Sequence, residues 1–269
     1  MASTVSDVIA ALDAAYPREL AESWDAVGLV CGDPGEPVER VLVCVDPVTA
    51  TVEEAVEWGA QLIVAHHPLL LRGVHGVGTD TAKGRLVHRM VRSHVALFCA
   101  HTNADSAVPG VSDALAERLG LRVTRPLAPH GDGSGPTGIG RIGELPEAMP
   151  FAEFVRRAGE ALPATRPGVL GAGDPDRLVR TVAVSGGAGD SYLAAAAEAG
   201  VDVYVTADLR HHPAGEHLEQ GGPALVGLTH WASEWPWCEQ AAEVIRRVRD
   251  VEVRVSTLCT DPWTLRAGN

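Results

Sequence analysis

From Val5 to Ala15 the apolar positions recur at three- and four-residue steps and the chain then meets Pro17, so the pattern predicts an opening amphipathic helix. Short β-branched runs and helical patterns then alternate. Arg40–Val45 (RVLVCV) reads as a buried strand, Thr49–Trp58 as a helix stopped by Gly59, and Gln61–Ala65 as a second strand. A helix over about Lys83–Ser93 and a strand over Val95–Ala100 repeat the unit. Beyond a Pro-, Gly-, Asp- and Ser-rich stretch at Pro126–Pro136 the alternation resumes. Strands are expected near Gly138–Leu145, Arg180–Ser185, Val201–Thr206, Ala224–Leu228 and Val251–Val255, with helices over Phe151–Ala161, Tyr192–Ala199 and about Ser233–Val248. Such alternation predicts α/β layering with at least part of the sheet parallel. The composition of Pro126–Pro136 is that of a linker, and it divides an N-terminal lobe, residues 1–126, from a C-terminal lobe, residues 127–269.

Two of the strands in the first half run directly into side chains that bind metals. Gln61–Ala65 is followed by His66-His67-Pro68, where the proline stops further pairing, and Val95–Ala100 by His101-Thr102-Asn103-Ala104-Asp105. In α/β sheets, ligands bind beyond the carboxyl ends of strands, where loops diverge. His230 and Glu234, after the strand expected at Ala224–Leu228, make a third such segment. Imidazole with carboxylate suits zinc, manganese, iron or nickel, and the lack of neighbouring thiolate argues against iron–sulfur chemistry. Side chains of adjacent residues diverge in an extended chain, so His66 and His67 suit two ions better than one. Ions in such a pair sit about 3.5–4 Å apart and share a bridging carboxylate or water. Glu234 or Asp105 is the candidate bridge. His230 and Glu234 are spaced i, i+4, and share a face if a helix begins at or before His230.

Composition narrows the function classes. With 22 Lys+Arg against 35 Asp+Glu, the formal charge is −13, and no basic run is present to grip DNA or anionic lipid non-specifically. No apolar run approaches the roughly 20 residues that cross a bilayer, and Asp7 and Asp13 interrupt the first apolar stretch, so a cytoplasmic protein without an export signal is expected. Five cysteines, Cys31, Cys44, Cys99, Cys238 and Cys259, form no CxxC pair and read as small buried apolar residues. Gly186-Gly187-Ala188-Gly189 lacks both the GxGxxG fingerprint and a Walker lysine, which favours a tight strand-to-helix turn over a phosphate cradle. Trp231, Trp235 and Trp237 flank His230 and Glu234, and either pack or stack on a planar base.

Six motifs, spread in order along nearly the whole chain, carry a resemblance. They are ESWDAVGLVCGDP at Glu22–Pro34, IVAHHPLLL at Ile63–Leu71, AHTNAD at Ala100–Asp105, GIGRIGEL at Gly138–Leu145, VDVYVTAD at Val201–Asp208 and THWASE at Thr229–Glu234. The sequence resembles the Nif-three-like family, also known as GTP cyclohydrolase I type 2 homologues. That resemblance implies two interlinked α/β lobes with a dinuclear metal site in the cleft between them, two divalent metal ions per chain, and a ring-like homohexamer. Position by position, it implies that His67 and Asp105 bind one metal, that His66 and His230 bind the other, and that Glu234 bridges both. It places His101 near the metals, in a catalytic or substrate-facing role. Asp208 and His212 match a TGD-x-x-x-H stretch in which Ala207 replaces the usual glycine, which leaves the backbone there in question. Asp25 matches a position near the site, although by itself it reads as a turn or cap. The activity implied is hydrolysis of a small anionic or nucleotide substrate by a metal-activated water, in the manner of a GTP cyclohydrolase. The alternatives are a metal-storing or metal-delivering assembly without turnover, and an adaptor that binds other proteins.

Overall fold

The structure is a computed structural model that describes residues 2–131, 133 and 135–267. It divides into two compact units: Met1–Ala107 with Cys238–Thr260, and Val108–Trp237 with Asp261–Asn269. Among the described residues no helix is long and apolar enough to cross a membrane.

The first unit starts with α1 (Val5–Ala15), whose N-terminus is closed by Asp7, its carboxylate accepting from the Thr4 backbone N–H at 2.8 Å. There follow β1 (Gly28–Cys31), β2 (Arg40–Cys44), α2 (Thr49–Trp58), β3 (Leu62–Ala65), α3 (Ala82–Arg92), β4 (Ala96–Cys99) and the single-turn α4 (Thr102–Ser106). The run Val41–Cys44 and all of β3 and β4 are buried, as expected of parallel strands covered on both faces. Val52 and Ala55 of α2 and Val87 and Met90 of α3 close over Leu42, Ile63 and Leu97 in one core. β2, β3 and β4 lie parallel and side by side, with Cys44 opposite Ala65 and Ala65 opposite Cys99. β1 completes one edge antiparallel to β4. Gly32, with φ +107°, lets the chain leave β1 close to its neighbour, because a Cβ there would meet that of Ala96 at 2.5 Å.

The second unit contains α5 (Val111–Arg118), β5 (Arg122–Pro129), β6 (Gly138–Pro150), α6 (Phe151–Ala161), β7 (Leu170–Ala172), β8 (Leu178–Ala188), α7 (Leu193–Glu198), β9 (Val203–Ala207), α8 (His211–Glu219) and β10 (Ala224–Leu228). Its six-stranded sheet has the order β5-β6-β8-β9-β10-β7, and β8, β9 and β10 are parallel. The stretch Pro126–Pro129, expected in a linker, is instead the end of β5, paired antiparallel with β6 through Pro126–Arg141 and Pro129–Gly138. The Pro and Gly residues there serve the connection between two paired strands; Asp132 and Ser134 of that stretch lie outside the described residues. The division between units falls earlier than residue 126, after Ala107. α9 (His230–Ile245) begins in the second unit and ends in the first, and β11 (Glu252–Val255) then pairs parallel with β2. The first unit is therefore assembled from two separate stretches of chain.

Asp202 ties the amino ends of β8 and β9 together, accepting from the backbone N–H groups of Arg180 and Thr181 and from the Thr181 hydroxyl. Partial burial alone would raise its pKa, but these donors outweigh it and hold the carboxyl below its ordinary value. Because the folded value is the lower one, the stabilisation is complete above the unfolded value near pH 4 and is lost as pH falls through the folded value. Asp202→Ala is expected to lower stability by about 1–2 kcal/mol at neutral pH. Urea unfolding at a series of pH values should show that gap closing only below about pH 4.

Candidate metal centre

In the first unit three neighbouring strands deliver their carboxyl ends to one place. β2 is followed by Asp46, β3 by His66 and His67, and β4 by His101. The ladder itself continues into these residues: His66 N–H donates to Cys44 O at 3.1 Å, His67 N–H to Val45 O at 2.9 Å, and Ala100 N–H to Ala65 O at 3.1 Å. The imidazoles of His66, His67 and His101 converge as a result. Their ring centroids are 5.1, 5.2 and 5.6 Å apart, and one nitrogen of each lies within 4.8 Å of the others. Asp105, on α4, brings a carboxylate oxygen to 3.7 Å from His66 Nε2.

Each of these rings is held by its Nδ1. His66 Nδ1 bonds to Ala100 O at 2.9 Å, His67 Nδ1 to Asp46 Oδ1 at 2.7 Å, and His101 Nδ1 to Asp25 Oδ1 at 2.9 Å. A carbonyl and an ionised carboxylate only accept, so Nδ1 carries the proton and the lone pair of the neutral ring sits on Nε2. Asp46 is itself tied down by the Thr260 hydroxyl. Burial would raise the Asp25 carboxyl, but hydrogen bonds from His101 and Thr102 overcome it and hold Asp25 well below the usual carboxylate range. Asp25 is thus the fixed acceptor that orients His101, and it does so from a turn, its own N–H donating to Glu22 O at 3.0 Å while its carboxylate accepts from the Thr102 N–H at the start of α4.

The second unit repeats the device. β9 ends at Ala207, just before Asp208, and β10 leads to His230, and Asp208 Oδ2 accepts from His230 Nδ1 at 2.7 Å. α9 starts at His230, three residues earlier than the pattern suggests, so the i, i+4 condition is met: His230 Nε2 lies 3.0 Å from Glu234 Oε1. Glu234 is buried, and Gly187 on the end of β8 makes room for it. At φ +68°, a Cβ on Gly187 would stand 2.4 Å from Glu234 Oε1 and 3.3 Å from His230 Nε2. The glycines at 186 and 187 belong to β8, and only Gly189 starts the turn that precedes α7.

The remaining sequence candidates fall away from this chemistry. Ala207 is an ordinary buried strand residue, and it is Asp208 that takes the left-handed conformation, φ +55°, so no glycine is required at 207. His212 lies on exposed α8 with its ring against His211. Trp231 and Trp237 are buried and pack, while Trp235 lies between Trp231 and the Arg118 guanidinium. Burial pushes the Cys44 and Cys99 thiols up, and Cys238 is buried too, but Cys31 is partly and Cys259 largely exposed. Asp46, the acceptor for His67, is the functional side chain that the motifs alone did not mark. Its signal in the sequence was its position immediately past a predicted strand, Arg40–Val45.

The donor chemistry fits a divalent first-row cation. Metal-bound histidines characteristically donate their other ring N–H to a carboxylate or carbonyl, which fixes the tautomer and the ring direction. All four imidazoles already have that partner, and carboxylates of Asp105 and Glu234 stand beside two of them.

The chain is therefore a mixed α/β protein with two sheets and with His and carboxylate groups able to bind metal at strand ends. The family described as Duf34/NIF3 (NGG1p interacting factor 3) matches residues 3–262, and the chain belongs to it. It is 53% identical to a Streptomyces coelicolor protein named GTP cyclohydrolase 1 type 2 homolog, over 98% of this chain and 95% of that relative. A Mycobacterium tuberculosis protein of the same name is 41% identical, over 98% of each chain. Among solved structures, a Bacillus cereus protein related to NIF3 superposes with a TM-score of 0.90 at 25% identity, covering 98% of this chain and 99% of that one. A Staphylococcus aureus hypothetical protein gives 0.88 at 26% identity, covering 99% and 100%.

Proposed function

We propose that this chain is a metal-dependent hydrolase of nucleotide-like substrates, in which the two ligand sets act together on two divalent cations. On this reading His67 and Asp105 would hold one ion and His66 and His230 the other, with the Glu234 carboxylate available to both. The observation that carries it is the anchoring of every candidate imidazole through Nδ1. Two such cations would lower the pKa of a water and polarise the substrate's electrophilic atom. The protein's own part is to fix the rings and to move the proton. His101 is suited to the latter, since Asp25 holds its Nδ1–H and leaves Nε2 to accept a proton, with the Asp25 carboxylate stabilising the imidazolium that results. The name of the relatives supplies the candidate reaction: hydrolytic opening of a guanine nucleotide's imidazole ring with loss of formate. A ring-like hexamer in the cytoplasm belongs to the same proposal and is read out as solution mass.

The outer shell gives a prediction that separates orientation from ligation. Asp46→Asn keeps the size of the side chain but replaces an accept-only carboxylate with an amide. It is expected to weaken metal affinity about 10–100-fold with little change in thermal stability.

The deciding experiment is metal content by mass spectrometry on protein purified without chelator, followed by a hydrolysis screen over nucleotides and phosphoesters. About two ions per chain, with turnover that falls when they are chelated, supports the hydrolase. Two ions without turnover move the reading to a metal-handling assembly, and a protein that takes up no stoichiometric metal refutes both.

A further inference from the structure

The loop Glu22–Ala26 holds two adjacent side chains in opposite circumstances. The Asp25 carboxylate is fully buried and accepts from the Ala26 N–H, from His101 Nδ1, and from both the N–H and the hydroxyl of Thr102. On the other side, Glu22 N–H donates to the Thr102 hydroxyl at 2.9 Å, and Asp25 N–H to Glu22 O at 3.0 Å. Trp24 sits between these anchors and is 59% exposed. Its exposure does not come from a loose loop, because the backbone on both sides is pinned and the indole is held out into solvent.

The indole is also held next to the imidazole cluster. Its ring meets that of His101 edge-to-face, with centroids 6.1 Å apart and planes at 79°, and His101 is in turn 5.2 Å from His66 and 5.6 Å from His67. Of the α9 tryptophans that the sequence offered as stacking residues, Trp231 and Trp237 are buried and the half-buried Trp235 packs against Trp231 and the Arg118 guanidinium. An indole is the largest π-face a protein can present, and a planar heteroaromatic ring stacks on it whatever its hydrogen-bonding edge. A ring laid on Trp24 would stand beside His101, one imidazole away from His66 and His67.

From this geometry we infer that Trp24 is the stacking wall of a subsite for a planar heteroaromatic ring, and thus the residue that selects aromatic over purely aliphatic phosphate esters. The inference rests on the hydrolase reading for its choice of ligand, but it makes a binding prediction that needs no turnover. The measurement is calorimetric titration of manganese-supplemented protein with guanosine monophosphate and, separately, with ribose phosphate, which carries the same phosphoester without the base. The wild-type chain is expected to favour the nucleotide by about tenfold or more, the size of one base stacked on an aromatic side chain. Trp24→Ala and Trp24→Leu should both abolish that preference while leaving ribose phosphate affinity and metal content unchanged. Trp24→Phe should retain most of it, since a smaller aromatic still stacks and an aliphatic side chain of similar bulk does not.

A preference that survives in Trp24→Ala overturns the inference. So does a wild-type protein that binds the two probes equally or binds neither, and so does a Trp24→Ala variant whose solution mass changes in place of its preference, since the indole would then be covering a subunit contact. A nucleotide preference that is lost in Trp24→Ala and Trp24→Leu, in a protein that turns nothing over, sustains the subsite while the hydrolase reading falls.

Discussion

His67→Ala is expected to remove stoichiometric binding of a divalent cation while leaving the fold nearly as stable as before. His67 follows β3, is partly exposed, and makes its principal side-chain bond to Asp46. Truncation there opens no large internal cavity. Since even the outer partner of a metal-bound histidine accounts for about 10–100-fold in affinity, loss of the ring itself should cost at least about a hundredfold. His66 makes the useful contrast. Its side chain is fully buried and its Nδ1 bridges to Ala100, joining the ends of β3 and β4. His66→Ala should therefore lose metal and also unfold at lower temperature. Metal retained at wild-type stoichiometry in His67→Ala, with the thermal transition intact, would contradict the assignment of that ring.

Arg141→Ala is expected to produce the largest fall in stability. Arg141 lies on β6 with a side chain only 2% exposed; its Nε and Nη2 face both oxygens of Asp113 at 2.9 and 2.8 Å, and Nη1 donates to Gly138 O and Gly140 O. Asp113 in turn accepts from the Gly110 N–H at the start of α5. Truncating the guanidinium strands a mostly buried carboxylate and two backbone carbonyls together. Breaking a buried pair from one side costs about 3–5 kcal/mol, a large share of the roughly 5–15 kcal/mol that holds a typical domain folded. In a protein of this size the thermal midpoint should fall by about 10 °C. Arg141→Met combined with Asp113→Asn should recover part of the loss, because the orphaned charge is then removed as well. A midpoint unchanged in Arg141→Ala would show that the network is solvated in solution. The arginine of GIGRIGEL is thus bound up in structure, and the motif's recurrence needs no role in chemistry.

Much of this was legible in the chain. Apolar runs of four to six residues located β2, β3, β4, β9 and β10 to within about two residues, because their shortness and the turn signals around them suit strands buried on both faces. The histidines at their ends were visible for the same reason. What escaped was encoded in pairing and not in period. β5 hid inside a Pro- and Gly-rich stretch because an edge strand tolerates both. β1, inside ESWDAVGLVCGDP, was not placed from the pattern, being only four residues long, and its pairing with β4 shifts register between Leu29 and Cys31. Asp46 was silent because a lone aspartate past a strand looks the same whether it caps a helix or orients a ring. The start of α9 was placed late although Thr229, a residue type that favours the position before a helix, stands immediately ahead of it, and His230 and Glu234 need that extra turn to face each other.

The two-stretch construction of the first unit bears on how the molecule is made. During synthesis β2 emerges early, with β3 next to pair on one side, and its other edge has no partner until β11 appears, after Val108–Trp237 of the second unit has been translated. A bare parallel edge of buried-type residues is a template for wrong partners. Arg40, which pairs with Glu252 across the finished β2–β11 seam at 3.2 Å, puts a charge on that edge while it waits. The candidate metal ligands at the ends of β3 and β4 are therefore made well before the sheet can close, and early capture of a cation by them would stabilise the incomplete half against aggregation.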